Sequence, residues 1–350
     1  MEFKLVKEGK VEVMVPNVKL PEDGRAYGFY NPRMSFDRNI SVTVVKTFAK
    51  IFKEKLGKLP RVCDLLTATG IRGIRYAKEA KLSDVTINDV NEKAIELAKK
   101  NVEGNQVKIQ VKNIDGSKLL LKEKFDIIDI DPFGSPFQFI DPAARSLEKF
   151  SLLCVTATDL PVLFGIYPKT CYRRYSLKSK RCQFENELGL RILVSYIIRE
   201  LAKYELAFKP VLSYARKHWM RIYGIVEKSS TKTDQILKEF KHLMIDDFEV
   251  GNVYMGNLQQ EFFVKSVLED MKKRDYALET RMLEIIKSEL DIPFYYDLTW
   301  VSKHYKKKIP KVESIVENLN KNGFKASRTH FSPTGIKANV ELNDLLRLLD

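Results

Sequence analysis

From about residue 60 the chain alternates short apolar runs with amphipathic ones, and this constrains the fold more than any other feature. Strands separated by helices of this spacing build a parallel sheet. Arg61–Leu66 reads as a strand and Gly70–Ala80 as a helix after a glycine-containing turn. Val85–Asn88 is a second strand, followed by an amphipathic helix over Glu92–Val102. Val107–Val111, Phe125–Ile130 and Ser151–Ala157 continue the series. A long helix around Glu187–Tyr204 precedes Leu206–Ala215 and Arg221–Val226, two runs close enough to pair as an antiparallel hairpin at a sheet edge. Five parallel strands and a closing hairpin describe a doubly wound α/β domain.

After Glu227 the βαβ period stops. Ser229-Ser230-Thr231 has the composition of a linker, and helical patterns run over Asp234–Leu243 and Glu261–Arg274. A chain of 350 residues suggests two domains. The expected division is 1–258, including an N-terminal extension over 1–58, and a smaller C-terminal domain over 259–350. In the latter, a helix over Ile309–Asn320, the turn Asn322-Gly323-Phe324 and a strand-like Ile336–Val340 suggest an α+β, winged-helix-like arrangement.

The expected strand ends carry chemistry. The turn Asp64-Leu65-Leu66-Thr67-Ala68-Thr69-Gly70-Ile71-Arg72-Gly73 is a dinucleotide-type fingerprint with Ala68 in place of the first glycine. Gly70 would let the backbone approach a ligand, and Gly73 would let the helix pack on the sheet. Alone, this is also a tight turn of any α/β protein. Asp89 ends the second strand nineteen positions after Gly70, where a carboxylate can accept both ribose hydroxyl protons of a nucleoside. Asp115, in Asn113-Ile114-Asp115-Gly116, follows the third and can reach an adenine amino group. Either acid alone is more often a turn residue; together the three sites point to a nucleoside cofactor. NAD satisfies the first two equally well.

The fourth strand ends in Asp129-Ile130-Asp131-Pro132-Phe133-Gly134-Ser135-Pro136. This is similar to the Asp-Pro-Pro-Tyr type motif of amino methyltransferases, with one proline fewer. A guanine amino nitrogen is a poor nucleophile because its lone pair is delocalised into the ring. Acceptors on its two protons push it towards tetrahedral geometry and expose the lone pair. Asp131 and the Pro132 carbonyl can supply those acceptors, and Asp131 can take the departing proton. Phe133 offers a face for a flipped-out base. The alternative is a proline-terminated strand with a solvent-facing acid.

With Tyr27-Gly28-Phe29-Tyr30-Asn31-Pro32-Arg33-Met34, Asp37-Arg38-Asn39, Thr69–Arg75, Asp131–Pro136, Ala157-Thr158-Asp159 and Tyr172-Arg173-Arg174-Tyr175, the chain resembles the tRNA (guanine-26-N2)-dimethyltransferases over roughly its first 220 residues. The resemblance implies a Rossmann-like class I methyltransferase domain using S-adenosylmethionine. It implies that Arg38 and Arg72 contact the methionine end, and that Asp89 and Asp115 hold ribose and adenine with Ile114 and Gly116 flanking the base. It also implies that Asp131 is the catalytic acceptor and that Phe29 and Phe133 sandwich the target base. Many relatives carry a four-cysteine zinc site after the catalytic sheet. Here the corresponding stretch, about Phe240 to Met255, has no cysteine. The four cysteines, Cys63, Cys154, Cys171 and Cys182, form no C-x-x-C pair, so no structural metal is expected.

The formal net charge of +14 and pI of about 9.3 favour a polyanionic partner. Lys169–Cys182 holds Lys169, Arg173, Arg174, Lys178, Lys180 and Arg181 with no acid, interleaved with Tyr172 and Tyr175. Residues 301–340 carry nine Lys or Arg, Lys306, Lys307 and Lys308 among them, against Glu313 and Glu317. Both read as tRNA-binding surfaces, or as solvated faces. No apolar run reaches membrane-span length, and Met1-Glu2-Phe3-Lys4 lacks a signal peptide's apolar run, so a cytoplasmic protein with no membrane and no obligate protein partner is expected. An amine methyltransferase for another RNA or DNA, a non-catalytic RNA-binding protein and an NAD-dependent oxidoreductase are the competing readings. Phe29–Arg38 argues against the first, the three acids against the second and Asp131-Pro132-Phe133 against the third.

Overall fold

The computed structural model describes residues 2–17, 28–216, 218–308 and 310–348; Met1, Tyr27 and Ile309 of the stretches above lie outside them. An antiparallel hairpin opens the chain, β1 (Phe3–Glu8) with β2 (Val11–Pro16), and α1 (Ser35–Leu56) follows. The βαβ series is then β3 (Val62–Asp64), α2 (Ile71–Glu79), β4 (Val85–Asn88), α3 (Glu92–Gly104), β5 (Gln110–Lys112), α4 (Gly116–Lys122), β6 (Phe125–Ile130), α5 (Phe137–Ser146) and β7 (Leu147–Ala157). Two short helices, α6 (Leu160–Leu163) and α7 (Pro168–Tyr175), lead to α8 (Glu185–Ala202) and the hairpin β8 (Leu206–Arg216), β9 (Trp219–Lys228).

The seven strands lie in the order β5-β4-β3-β6-β7-β9-β8, the first five parallel and the last two joined antiparallel. This is the expected sheet. β3, β4 and β6 are buried at every position because both faces are covered. One apolar core, with Ile128, Leu153, Ile192 and Phe208, lies under α5 and α8. The other, with Ile74, Val85 and Leu212, lies under α1 and the N-terminal hairpin. Cys63 and Cys154 are buried thiols of these cores. The strand order reverses between β3 and its neighbours β4 and β6, the place where such sheets open a crevice at their carboxyl ends.

Two expectations fail beyond the sheet. Ser229-Ser230-Thr231 is no linker: Ser229 caps α9 (Ser230–Leu237), its hydroxyl accepting the Lys232 N–H at 3.3 Å. The helix foreseen to Leu243 stops at Leu237, and β10 (Phe240–Ile245) pairs with β11 (Phe248–Tyr254). Asp246, left-handed at φ 51°, turns the chain between them, a role short polar side chains tolerate. This hairpin fills the stretch in which the resemblance would put a zinc site. Among the described residues no three His, Cys, Asp or Glu side chains converge on a possible metal position.

α10 (Glu261–Met271) and α11 (Ala277–Ser288) lie beyond the expected division at 258, yet Phe263, Val267, Leu283 and Ile286 pack into the α1 side of the sheet's core. A separate small core begins at Leu298. It joins β12 (Tyr296–Asp297), α12 (Leu298–Tyr305), α13 (Val312–Lys321), β13 (Ala326–Arg328), β14 (Gly335–Ala338) and α14 (Leu342–Leu348), the strands antiparallel in the order β12-β14-β13. Lys337 of β14 is not a surface charge. It is buried between Glu187 of α8 at 3.2 Å and Glu289 at 3.3 Å. Among the described residues no helix is long and apolar enough to cross a membrane.

Candidate active site

The crevice is built from loops at strand ends. Gly70 caps α2 at φ 82°, and a Cβ on Gly73 would stand 2.2 Å from Ile87 Cγ2, so the helix sits on the sheet at a distance only glycine permits. Ala68, in the position of the missing glycine, still adopts a left-handed φ of 49°. Asp89 accepts the Ala68 N–H at 3.0 Å and the Asn91 N–H at 2.9 Å, tying the end of β4 to this turn. Asp115 caps α4 by accepting the Lys118 N–H at 3.0 Å and is exposed. Gly116 packs on Leu65. Asn88, which sequence reasoning passed over, stitches the row together: its amide donates to the Leu65 and Ile114 carbonyls at 3.0 Å each, and its carbonyl accepts the Ile114 N–H at 3.2 Å.

Beside this row lies a cleft of about 260 Å³. Of the residues singled out in the sequence it brings together Phe29, Arg38, Arg72, Asp131, Pro132 and Phe133, and adds Tyr30, Asp64, Thr158, His218 and Trp219. Asp89, Ile114, Asp115 and Gly116 do not line it; they continue along the neighbouring strand ends. Both arginines already face protein carboxylates. Arg38 grips Glu8 with two bonds, Nε at 2.7 Å and Nη2 at 2.5 Å. Arg72 donates to Asp37 at 3.0 Å, to Ser41 at 2.6 Å and to Asp131.

A buried polar network that no local motif signals lies under the cleft. Arg221 of β9 is fully buried and holds Asp129 through Nη1 at 2.9 Å and Nη2 at 2.6 Å, and Thr156 at 2.7 Å. Tyr76 donates to Asp129 at 2.5 Å and Tyr214 to Asp37 at 2.7 Å. Burial alone would push Asp129 up; the Arg221 and Arg72 charges hold it below the usual carboxylate range. Asp64, with no arginine bonded to it among the described residues, is pushed up to about 7, first by burial and then by the Asp129 charge. The signal for these residues was their burial as charged groups, which emerges only from the fold.

The two aromatic rings expected to sandwich a base are neighbours in the cleft. A base sandwiched between Phe29 and Phe133 requires parallel rings about 7 Å apart, twice the carbon–carbon contact distance. The rings stand edge to face, 88° apart with centroids at 4.4 Å. They touch each other and form no slot.

The basic segment Lys169–Arg181 is also less charged than its sequence. Arg174 pairs with Asp159 at 3.0 Å, Lys178 with Glu249 at 3.8 Å, Lys180 with Asp246 at 2.7 Å and Arg181 with Glu185 at 2.6 Å. Arg173 bonds only the Thr170 hydroxyl among the described residues. Lys306 and Lys308 are exposed and Lys307 half-buried at the end of α12.

The sheet order and the acids at successive strand ends define the class: a Rossmann-like class I methyltransferase. Residues 9–248 and 239–350 match the family described as N2,N2-dimethylguanosine tRNA methyltransferase, and the chain belongs to it. It is 35% identical to the tRNA (guanine(26)-N(2))-dimethyltransferase of Methanococcus maripaludis, over 99% of this chain and 98% of that one. To the enzyme of the same name from Pyrococcus furiosus it is 36% identical, over 97% and 96%. The solved structure of Trm1 from Pyrococcus horikoshii in complex with S-adenosyl-L-methionine superposes with a TM-score of 0.90 at 32% identity, covering 99% of this chain and all of that one.

Proposed function

We propose that this protein is a tRNA (guanine(26)-N2)-dimethyltransferase, moving methyl groups from S-adenosylmethionine to the exocyclic amino nitrogen of guanine 26. The observation that carries the reading is the Asp131 carboxylate in the cleft, fixed by Arg72 and followed by Pro132 and Phe133. The donor set fits the cofactor. Arg38 and Arg72 offer guanidinium to a carboxylate at one end, Asp89 and Asp115 offer acceptors to hydroxyl and amino groups at the other, and Thr69 Oγ1 is buried beside the turn without a hydrogen-bond partner among the described residues. The bound cofactor supplies an electrophilic methyl on a sulfonium.

The chain's own residues do the rest. Asp131 and the Pro132 carbonyl accept the two amino protons and turn the nitrogen lone pair towards the methyl group. Arg72 holds Asp131 aimed into the cleft, so that the same carboxylate takes the proton released as the C–N bond forms. Phe29 and Phe133 grip the base after their rings swing from edge contact to face it. The sheet with α10 packed into its core serves catalysis; the segment from α11 to β14, whose α–β–α–α–β–β order is winged-helix-like, serves tRNA binding together with Arg173, Arg174, Lys178, Lys180, Arg181 and Lys306–Lys308. The protein works in the cytoplasm without an obligate protein partner.

The test is mass spectrometry of nucleosides after incubating the protein with S-adenosylmethionine and an unmodified tRNA transcript. N2-methyl- and N2,N2-dimethylguanosine confined to position 26 is the expected result. Product at another base, or none from a protein whose melting temperature rises with S-adenosylhomocysteine, overturns the substrate assignment. A rise with NAD instead overturns the cofactor.

A further inference from the structure

The catalytic sheet and the C-terminal unit enclose a second groove, beside the cleft, separate from Lys169–Arg181 and from the Lys306–Lys308 run, and sharing only Arg328 with the basic stretch 301–340. Its first part, about 430 Å³, is lined by Arg216, Arg281 and Arg328 together with Asn186, Met282 and Pro333. A second part, about 400 Å³, shares Arg281, Ile285 and Arg328 and reaches Val316 of α13. Arg216 closes β8; two and three residues on, His218 and Trp219 line the active-site cleft. The arginines thus form a row from the rim of the cleft to α13.

The charges in this row are available. Among the described residues no carboxylate lies within ion-pair distance of Arg216 or Arg281. The Arg216 guanidinium lies 3.7 Å over the Phe36 ring and 5.9 Å from that of Trp219. Such stacking fixes the plane while leaving the N–H edge to face a ligand. Arg281 is exposed on α11. Arg328 shares its charge with Glu313 at 2.6 Å and donates to the Pro333 carbonyl at 3.2 Å. Glu284, which lines the far part, is already bound to Lys272 at 2.8 Å. In Lys169–Arg181, by contrast, four of the six cations are tied to acids brought in by the fold.

We infer that this groove seats the sugar–phosphate backbone of the tRNA flanking the base that enters the cleft, with Arg216 and Arg281 each neutralising a phosphate. The inference rests on the proposed tRNA methylation. A planar guanidinium matches a phosphate in bidentate fashion, and a contact at the cleft rim fixes how far the target nucleotide is drawn in.

The test is tRNA binding by the full chain over several salt concentrations for wild type and the double variant R216Q/R281Q. Losing two phosphate contacts flattens the slope of log affinity against log salt by about 1.4–1.8. KM for tRNA rises, and affinity for S-adenosylhomocysteine stays at the wild-type value. R281Q alone, changed at an exposed site, flattens the slope by about half as much and guards against disturbed packing of Arg216 on Phe36. A wild-type protein that fails to methylate tRNA defeats the reaction assignment. A wild type that methylates, beside variants with its slope and KM, defeats the groove.

Discussion

Replacing Glu8 with glutamine tests whether the N-terminal hairpin organises the active site. The Glu8 carboxylate takes Arg38 at 2.5 and 2.7 Å, Arg75 at 2.7 Å and the Tyr30 hydroxyl at 3.1 Å, and Arg38 and Tyr30 both line the cleft. Burial would raise this carboxyl, but the Arg38 hydrogen bonds and the Arg38 and Arg75 charges outweigh it and hold it at about 2 instead of 4.5. At about 1.36 kcal/mol per pH unit, that difference makes the ionised form worth about 3 kcal/mol to the folded state. Arg75 keeps Glu79 at 2.6 Å, and a glutamine carbonyl still accepts one bond, so E8Q should lose about 2–3 kcal/mol at pH 7. Because the folded value is depressed, this contribution is complete above pH 4.5 and disappears as pH falls towards 2. Urea unfolding of both proteins from pH 7 to pH 3 measures it. The gap should narrow steadily below pH 4.5, and affinity for S-adenosylhomocysteine should fall along with the hold on Arg38. A gap under about 0.5 kcal/mol at pH 7, or one indifferent to pH, refutes the reasoning.

Asp89→Ala removes both acceptors for a ribose, each charge-assisted bond worth on the order of 1.5–3 kcal/mol, and should abolish cofactor binding seen by calorimetry in a protein that still unfolds cooperatively. Asp131→Ala should lose nearly all turnover while filter binding shows tRNA retained, since phosphate contacts elsewhere carry affinity; joint loss of both would make Asp131 structural. Replacing Lys306, Lys307 and Lys308 together with alanine should flatten the salt dependence of tRNA binding by about 2.1–2.7, alike for every tRNA tried, and an unchanged slope would make the run a solvated face.

What the sequence disclosed was local. Asp131, Pro132 and Phe133 adjoin a strand whose apolar run announces itself, and Gly70 to Asp89 is a spacing along one βαβ unit. The network beneath was silent because its members meet across the fold: Arg221 lies 92 residues from Asp129, and Glu8 lies 30 from Arg38. α1 went unrecognised as an element for a different reason. Its segment Ile40–Val45 is buried all round and rich in β-branched residues, so it lacks both the amphipathic stripe and the propensity that mark a helix. Packing between the sheet and α10 overrides that preference. The failed end of the helix at Phe240–Leu243 is the converse case: Phe240 and Leu243 stand three apart, as on one face of a helix, in a segment too short for its period to separate strand from helix.

The lysine buried in β14 gives the two halves of the molecule a fixed separation. Lys337 meets Glu187 of α8, and Glu187 binds Arg191 at 2.8 Å, which in turn holds the Tyr254 and Gly256 carbonyls at 3.1 and 3.0 Å. Asn186, one residue away on the same helix, donates to the Phe331 carbonyl at 3.0 Å. Pulling the small sheet away would break the Lys337–Glu187 pair and the Asn186–Phe331 hydrogen bond together. The pair therefore acts as a calliper. If the C-terminal unit holds the RNA as proposed, only the nucleotide that lies one set distance along the folded RNA meets Asp131, and a guanine elsewhere is refused without any contact made to reject it.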